Sequence, residues 1–405
     1  MSKYARSGEL YERATIIPGR SLTRSKAPGR LMPVGQGPLY ASHGDEAVLA
    51  DVDGHDYIDM ICGLGAISLG YGVRDLSAPN QVDHGWLYSL PSEYELLAAE
   101  AVLQQVAPWG SHVRFVKTGS EATHAAYRIA KAATGRTHII VASNAYHGWH
   151  ETVTFKDADA RVSESGTAWR YAYGVPWERV GFSVIDPGKV AAVFVEPARW
   201  EEPNADGWLA KTAQFWRDRG ALLVFDEMIY GGRCALGGAT EYFGVTPDLA
   251  CFGKAIGNGA PIACVVGREA LAEHGELVSG TYSGDAASLA ATCSVLRTYT
   301  TEPVIETLWT RGRQLQRGLR EAVAAHPKLG AVVEGQPVHQ RLRFQHPEQG
   351  QAFSAAMAAR GVLWHPEVVN IMQAHSEAHI ERVVEAAFES LKALSVKGVG
   401  RIANA

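Results

Sequence analysis

The chain has 405 residues, of which 46% are hydrophobic and 20% are charged, with 42 glycines and 18 prolines. This composition excludes a small disulfide scaffold, a coiled coil, a collagen-like chain and a disordered protein. The 38 basic and 43 acidic residues give a net charge of −5. Non-specific binding to nucleic acid requires an excess of basic residues, so we expect no nucleic-acid partner.

The first 60 residues are rich in Gly and Pro and contain two short apolar segments, around Val48 and Ile58. This pattern predicts an N-terminal helix, an irregular arm and a small hairpin. Further along, apolar residues recur at helical spacing over Glu93–Val106, directly after a Pro-Ser pair. A helix is predicted there.

Five short apolar runs then predict buried strands at Val113–Val116, Ile139–Val141, Ala192–Val195, Leu222–Phe225 and Ile262–Val266. Most of them are separated by stretches long enough for a helix. The chain is therefore predicted to have an α/β fold with a mainly parallel central sheet flanked by helices. Such sheets bind ligands beyond the carboxyl ends of their strands.

Residues 296–405 have a different pattern, with helical periodicity over Val304–Ala325 and Ala378–Leu394 and a strand candidate at Gln340–Phe344. They predict a second, smaller α+β domain. We expect residues 1–60 to form an arm and part of this small domain. Residues 61–295 would form the large domain, and residues 296–405 the C-terminal small domain.

Two acidic residues and a lysine form the most informative pattern. The apolar run Ala221–Phe225 ends in Asp226 and Glu227, and Lys254 lies 28 residues after Asp226, before a Gly-rich turn. Each feature alone has an ordinary explanation, a helix cap for the aspartate and a surface position for the lysine. Together they fit pyridoxal phosphate, to which a lysine binds as a Schiff base while an aspartate keeps the pyridine nitrogen protonated.

A phosphate-binding segment fits the same cofactor. Gly119 and Ser120 lie between a strand and an Ala-rich helix, where backbone N–H groups and a hydroxyl bind phosphate. Ser120 with a later acid also fits an ordinary helix cap.

An aromatic cluster follows the strand at residues 139–141. Tyr146 is placed there to stack on one face of the pyridine ring, with Met228 on the other face. His147 and His150 also suggest a metal site, but no third ligand has suitable spacing, so we expect no metal.

In their order and spacing these motifs resemble those of the class III (subgroup II) aminotransferases. This family of fold type I pyridoxal phosphate enzymes includes the glutamate-1-semialdehyde aminomutases. The resemblance extends over nearly the whole chain and is carried by Asp51–Gly54, Gly119–Ala122, Tyr146–Gly148, Val195–Pro197, Phe225–Glu227, Gly238–Asp248, Gly253–Lys254 and Gly280–Gly284. It implies a homodimer with its two active sites at the subunit interface.

The resemblance also implies a role for each residue of the cofactor site. Lys254 would hold pyridoxal 5′-phosphate and carry a proton during catalysis, and Asp226 would pair with the pyridine nitrogen. Gly119 and Ser120 would bind the phosphate, and Thr281 would reach the phosphate of the partner's cofactor. The remaining cofactor-binding positions are Tyr146, His147, Glu196 and Met228, of which Glu196 also fits a structural acid at a strand end.

Three residues are candidates for contact with the substrate. Arg24 lies near the position of an aminomutase arginine that binds the substrate carboxylate, without aligning cleanly. Tyr230 is a bulky replacement in the Asp-Glu motif, and Arg199 follows a strand end but fits an exposed loop equally well. The Gly-Asn-Pro that often follows the phosphate threonine is replaced here by Gly284-Asp285-Ala286, which a helix cap at Asp285 explains.

The predicted activity is amino transfer from a small-molecule donor to an aldehyde or ketone acceptor. A glutamate-1-semialdehyde-type aminomutase, which moves the amino group within one molecule, is the first alternative. Racemase or elimination chemistry is the second, because all of these reactions use the same cofactor site. A non-catalytic binding protein would be expected to have lost Lys254 or Asp226. The sequence identifies neither the donor nor the acceptor.

Cysteine usage and hydropathy bear on the compartment. The five cysteines are widely spaced and include no Cys-x-x-Cys pair. The N-terminal residues lack the apolar segment of a signal peptide, and no run approaches the roughly 18 apolar residues of a membrane span. We expect a cytoplasmic protein with no membrane partner.

Overall fold

The computed structural model describes residues 3–72, 81, 83–143, 145–156, 160, 162–172, 177, 185–197 and 207–397. The chain forms two compact units: unit 1 comprises Met1–Val73 and Glu306–Ala405, and unit 2 comprises Arg74–Ile305. The divisions predicted from the sequence are at residues 60 and 295. A division at 295 would cut the helix Ala286–Thr301, which continues without interruption.

Strands occur in both units. In the described residues they are β1 (Ala41–Asp45), β2 (Val48–Asp51), β3 (Asp56–Asp59), β4 (His112–Val116), β5 (His138–Ala142), β6 (Ala168–Tyr171), β7 (Val190–Val195), β8 (Leu222–Asp226), β9 (Leu249–Gly253), β10 (Ala263–Gly267), β11 (Val332–Gln336), β12 (His339–Arg343), β13 (Val362–Leu363) and β14 (Val369–Asn370).

Helices also occur in both units. In the described residues they are α1 (Ala5–Arg13), α2 (Cys62–Gly65), α3 (Glu93–Ala101), α4 (Gly119–Thr134), α5 (Trp208–Arg217), α6 (Gly238–Phe243), α7 (Glu269–His274), α8 (Ala286–Thr301), α9 (Val304–Ala325), α10 (Pro347–Ala358) and α11 (Glu377–Lys397). Among the described residues no helix combines the length and the apolar character needed to cross a membrane.

Unit 2 is built on a seven-stranded sheet of order β4-β10-β9-β8-β7-β5-β6. β10 runs antiparallel to both of its neighbours, and the other pairs are parallel. The prediction of an α/β fold with a mainly parallel sheet is confirmed. Each of the five predicted strands coincides with a strand to within two residues, while β6 and β9 were not predicted.

The central strands are apolar because both faces of the sheet are covered. All residues of β7, β9 and β10 are buried. Alternate residues of β7 enter opposite core clusters, with Val193 and Val195 in one and Ala192 and Phe194 in the other. A strand buried on both faces is a continuous apolar run in the sequence, which is why these strands were predictable.

The predicted helix over residues 93–106 also forms, with one change. Its α-helical part is α3, and residues Val102–Val106 continue as a π-helical turn. Val102 and Val106 are buried in the same core cluster as Ala98. The apolar periodicity therefore predicted the buried face of the segment and not its change of pitch.

Unit 1 contains two small sheets. One has the strand order β1-β2-β3-β13 and the other β11-β12-β14. The predicted hairpin is the antiparallel pair β2 and β3. The predicted C-terminal helices are α9 and α11, and the predicted strand at residues 340–344 is β12.

Four connections of unit 2 leave the sheet at the same edge. β4 and β9 are both antiparallel to β10, so they point in the same direction, and β8, β7 and β5 are parallel to β9. The segments that follow β4, β5, β8 and β9 therefore start at one edge, which is where open parallel sheets bind ligands.

Candidate active site

The aspartate and the lysine of the predicted cofactor site lie at the ends of adjacent strands. Asp226 is the last residue of β8, and Lys254 directly follows β9. In the register of these two parallel strands, Asp226 pairs with Cys251, three positions before Lys254. The fold thus brings together two residues that are 28 positions apart in the chain.

Asp226 is held in a fixed position from two sides. Its Oδ2 lies 2.8 Å from Nδ1 of His147, and its Oδ1 accepts a 3.1 Å hydrogen bond from the Met228 amide. Because a carboxylate accepts, the imidazole donates from Nδ1. Both side chains are almost completely buried, at 1% exposure for His147 and 3% for Asp226. The pair is a charge-assisted contact out of reach of solvent.

The backbone that supports His147 is fixed as well. The carbonyl oxygen of His147 accepts a 2.5 Å hydrogen bond from the hydroxyl of Thr123, which lies in the first turns of α4. The imidazole ring packs edge to face against Phe194 of β7, at 5.8 Å between ring centroids. The segment after β5 is therefore joined to both α4 and the central sheet.

Lys254 has an unusual backbone conformation. Its φ is +47°, in the left-handed region, which costs a non-glycine residue roughly 1–2 kcal/mol. The preceding strand β9 is completely buried, and the next three residues form a tight 3-10 turn. Strain of this kind is concentrated at functional sites, where the surrounding structure holds it in place.

Helix α4 begins at the predicted phosphate-binding segment. Thr118 is its N-cap and accepts from the Glu121 amide, while Glu121 accepts from the Thr118 amide in a capping box. The ordinary cap is thus Thr118 and not Ser120. The amides of Gly119 and Ser120 donate to no acceptor among the described residues. These two N–H groups at the positive end of a 16-residue helix can bind an anion.

Glycines allow three segments to approach each other closely at this edge. A Cβ atom on Gly119 would lie 2.9 Å from Sδ of Met228, and one on Gly253 would lie 2.7 Å from the same sulfur. A Cβ atom on Gly148 would lie 2.6 Å from Oγ of Ser120. Met228 therefore lies between the start of α4 and the end of β9.

Glu227 has a structural partner that its neighbour Asp226 does not share. It is completely buried and accepts hydrogen bonds from the amides of Ala239 and Thr240 and from the Thr240 hydroxyl, so it caps α6. Burial raises the pKa of Glu227 to about 7 against the opposing effect of these hydrogen bonds, and the charge of Asp226 adds to the rise.

The other predicted cofactor residues lie in different environments. Glu196 directly follows β7 and is buried. Tyr146 is 65% exposed, and Thr281 is exposed in the loop before α8. Neither Tyr146 nor Thr281 is enclosed within this chain.

The three substrate candidates lie in different parts of the chain. Tyr230 is buried in unit 2, four residues after Asp226. Arg24 is exposed in unit 1, in a short 3-10 turn. Arg199 lies outside the described residues.

Sequence reasoning missed two contacts near the site. Lys117 forms an ion pair with Asp285, although the two residues are 168 positions apart. Thr123 supports His147, as described above. Only the role of Asp285 as the N-cap of α8 was expected, and its hydrogen bond with the Ser288 amide confirms it. In the described residues no cluster of three metal-binding side chains is found around His147 and His150.

The side chains and backbone amides at this edge of the sheet fit pyridoxal phosphate. Two helix amides are available for the phosphate, and Met228 offers an apolar surface beside them. Asp226 is oriented by two donors, and Nε2 of His147 is buried with no hydrogen-bond partner among the described residues. Lys254 extends from the adjacent strand end.

Comparison with known proteins identifies the family. The model of the class-III aminotransferases matches residues 31–164 and 178–391. Glutamate-1-semialdehyde 2,1-aminomutase from Thermomicrobium roseum is 34% identical over 95% of this chain and 97% of that protein. The Archaeoglobus fulgidus protein of the same name is 32% identical over 87% of this chain and 93% of its own length.

Solved structures show the same fold. The FumI protein of Sphingopyxis sp. MTA144, in its PLP internal aldimine form, has a TM-score of 0.86 and 29% identity, with 96% of each chain covered. An omega-transaminase from Sphaerobacter thermophilus has a TM-score of 0.84 at 24% identity and covers 98% of each chain. The chain therefore belongs to the class-III aminotransferase family of fold type I enzymes, and its cofactor is pyridoxal phosphate.

Proposed function

We propose that the protein transfers an amino group from a small-molecule donor to an aldehyde or ketone acceptor, with Lys254 as the residue that binds the cofactor and carries the proton. One observation carries this proposal. Lys254 and Asp226, whose carboxylate accepts two hydrogen bonds, lie at adjacent strand ends. The N-terminus of α4 offers two amides at the same edge of the sheet.

The residues divide the chemistry among them. When bound, pyridoxal phosphate supplies an electron-accepting ring that stabilises negative charge on the substrate carbon. Asp226 keeps a proton on the ring nitrogen, and His147 and the Met228 amide hold its carboxylate in place. Gly119 and Ser120 bind the phosphate through their amides. Met228 and Tyr146 pack against the ring.

Lys254 takes the role of the acid and base. Its amine would accept the proton released from the substrate carbon and would give it back later in the same turnover. The left-handed backbone at Lys254 supports this role, because it sets the direction in which the side chain leaves the end of β9.

We propose further that the active protein is a homodimer. Large apolar side chains of unit 2 are exposed at Trp86, Leu87, Tyr88, Leu90, Leu96, Leu97 and Tyr282. The amide of Ala286 donates to the carbonyl of Trp86, so the backbone of Trp86 lies beside the start of α8, close to the loop of Thr281. This number of exposed large apolar side chains favours an interface, and burial there would take Thr281 to the partner's cofactor.

The cytoplasm is the compartment that we propose. All five cysteines are free thiols, and four of them are buried. Burial raises the pKa of the thiols of Cys234, Cys251 and Cys264 above its ordinary value, which keeps them protonated and unreactive. A chain with this many unpaired thiols suits a reducing environment.

An aminomutase is the second candidate. The relatives from Thermomicrobium roseum and Archaeoglobus fulgidus carry that name and are similar over most of their length. This reaction would use the same Lys254, Asp226 and phosphate site, with donor and acceptor in one molecule.

Absorbance spectra of the purified protein, with amino donors added one at a time, distinguish the two candidates. Transfer requires that one donor removes the visible band of the lysine-bound cofactor and that an acceptor restores it. An aminomutase would isomerise its substrate with no consumption of a separate donor. No band after reconstitution with pyridoxal phosphate would overturn both.

A further inference from the structure

An ion pair joins two distant segments beside the phosphate-binding helix. Nζ of Lys117 contacts Oδ2 of Asp285, and the two side chains are only 16% and 7% exposed. Lys117 lies between the end of β4 and the N-cap of α4. Asp285 lies between the loop of Thr281 and the first residue of α8.

The loop at Thr281 is compact and fixed at Asp285. The amide of Ser283 donates to the carbonyl of Gly280, and the amide of Asp285 donates to the carbonyl of Tyr282. Oδ1 of Asp285 accepts from the Ser288 amide while Oδ2 contacts Lys117. The position of Asp285 therefore determines the position of Thr281, four residues before it.

The other end of the ion pair is equally well fixed. The amide of Lys117 donates to Oε2 of Glu121, and the same oxygen accepts from the Thr118 amide. Lys117 thus belongs to the capping box that leaves the amides of Gly119 and Ser120 available for an anion.

We propose that Lys117 and Asp285 are a positioning pair for phosphate binding: they hold the loop of Thr281 against the start of α4, and so set the affinity of the partner's site for the phosphate of its cofactor. This inference rests on the proposed function, in which Thr281 acts in the partner's site. Bringing two charges out of water is costly, and a pair of this kind adds little stability compared with apolar side chains. Its location between two phosphate-binding segments gives it a role in orientation.

Loss of affinity for the phosphate group is the signature of this role. We expect Lys117→Met to weaken binding of pyridoxal phosphate by about tenfold, because the loop of Thr281 would lose a contact that holds it in place. The affinity for pyridoxal, which has no phosphate, should stay within about twofold. Both affinities follow from titration of the visible band after removal of the cofactor from the holoenzyme. A purely structural role would weaken both ligands equally.

Two further variants guard against misfolding. Lys117→Gln combined with Asp285→Asn leaves no unpaired charge and keeps a good helix cap at 285, and it should show the same selective loss. Arg343→Gln removes an ion pair with Glu334 in unit 1, at 2.6 Å, and should change neither affinity.

Mixed dimers test the action across the interface. In the first dimer one chain carries both Lys254→Ala and Lys117→Met and the other is wild type. The active site that still has Lys254 is therefore completed by Thr281 of the altered chain. We expect it to show the tenfold loss. In the second dimer the two substitutions are on different chains, and we expect the wild-type affinity.

Each outcome has a definite meaning. Equal weakening in the two mixed dimers, weakening in the second alone, or equal weakening toward pyridoxal and its phosphate would overturn the inference. If the wild-type protein develops no visible band with pyridoxal phosphate, the proposed function itself fails. A normal wild-type band with unchanged affinity in Lys117→Met rejects the positioning pair alone.

Discussion

His147 and Asp226 are 79 positions apart in the sequence, and their side chains meet at 2.8 Å in the interior of unit 2. The contact joins the segment after β5 to the end of β8, across the intervening strand β7. Through this contact His147 fixes the orientation of the Asp226 carboxylate, which serves the cofactor, without needing to touch the substrate.

Replacement of His147 should reduce turnover while the cofactor stays bound. His147→Leu removes a hydrogen bond to a buried carboxylate, which is worth about 1.5–3 kcal/mol, so we expect kcat to fall roughly 10- to 100-fold. Steady-state kinetics with the donor identified by absorbance would measure this loss. His274→Gln, at a partly exposed histidine beside Glu273, is the control and should have no effect. Wild-type kcat in His147→Leu would contradict the role of the pair.

Lys254→Ala should abolish both activity and the visible band of the lysine-bound cofactor. The amine is the attachment point and the proton carrier, so the loss of kcat should exceed about a thousandfold. Lys211→Ala, at an exposed position of α5, should leave both unchanged. A persistent visible band in Lys254→Ala would show that another amine holds the cofactor.

The contribution of Glu227 to stability should depend on pH. Its pKa in the folded protein is about 7, above the ordinary value of 4.5. The raised pKa stabilises the fold fully below pH 4.5, and this stabilisation is lost as the pH rises through 7. Over this range the free energy of unfolding should fall by about 3 kcal/mol relative to a chain without the group.

Glu227→Gln is the variant that tests this dependence. Denaturant unfolding of wild type and variant at pH 5 and pH 8 gives the difference in unfolding free energy at each pH. At the higher pH the variant should be more stable relative to the wild type than at pH 5, because the wild-type carboxyl must then ionise in the interior. The same difference at both pH values would contradict the raised pKa.

A methyl group at Gly148 should disturb the phosphate site. Gly148 has a φ of +105°, and its Cβ would meet Oγ of Ser120 at 2.6 Å. Gly148→Ala should therefore lower stability by roughly 1–3 kcal/mol and weaken binding of pyridoxal phosphate. Gly166→Ala is the matched control, because Gly166 also has a positive φ but no atom of the described residues lies within 4 Å of the added methyl group. It should affect stability alone, and an equal loss of cofactor affinity in both variants would contradict contact with Ser120.

The parts of the fold that were predictable are those with a local signal. β7 and β8 are continuous apolar runs because both faces are covered, and α9 shows its buried face as helical periodicity. β9 was not predicted although it is buried as completely as β7, because its five residues include no β-branched side chain. The short strand β6 contributes two residues, Ala168 and Tyr171, to the main core clusters of the described residues.

Lys254 and Asp226 could be singled out from the sequence because each follows or ends an apolar run, and the structure places these two strand ends side by side. The ion pair of Lys117 with Asp285 was not predictable, because it depends on how β4 and α8 are placed relative to each other. Glu227 illustrates a third case. A helix cap was considered for the acid at the end of β8, and it is Glu227 that caps α6, since only the packed structure shows which carboxylate faces the helix.

The position of β4 in the sheet has a consequence for synthesis of the chain. β4 lies at an edge, and its single neighbour in the described sheet is β10, which begins at Ala263. A ribosome must therefore release the chain beyond Gly267 before β4 can pair, although β4 itself leaves the ribosome much earlier. The start of α4 is anchored to β4, so a nascent chain can acquire its cofactor only after Lys254 has already emerged.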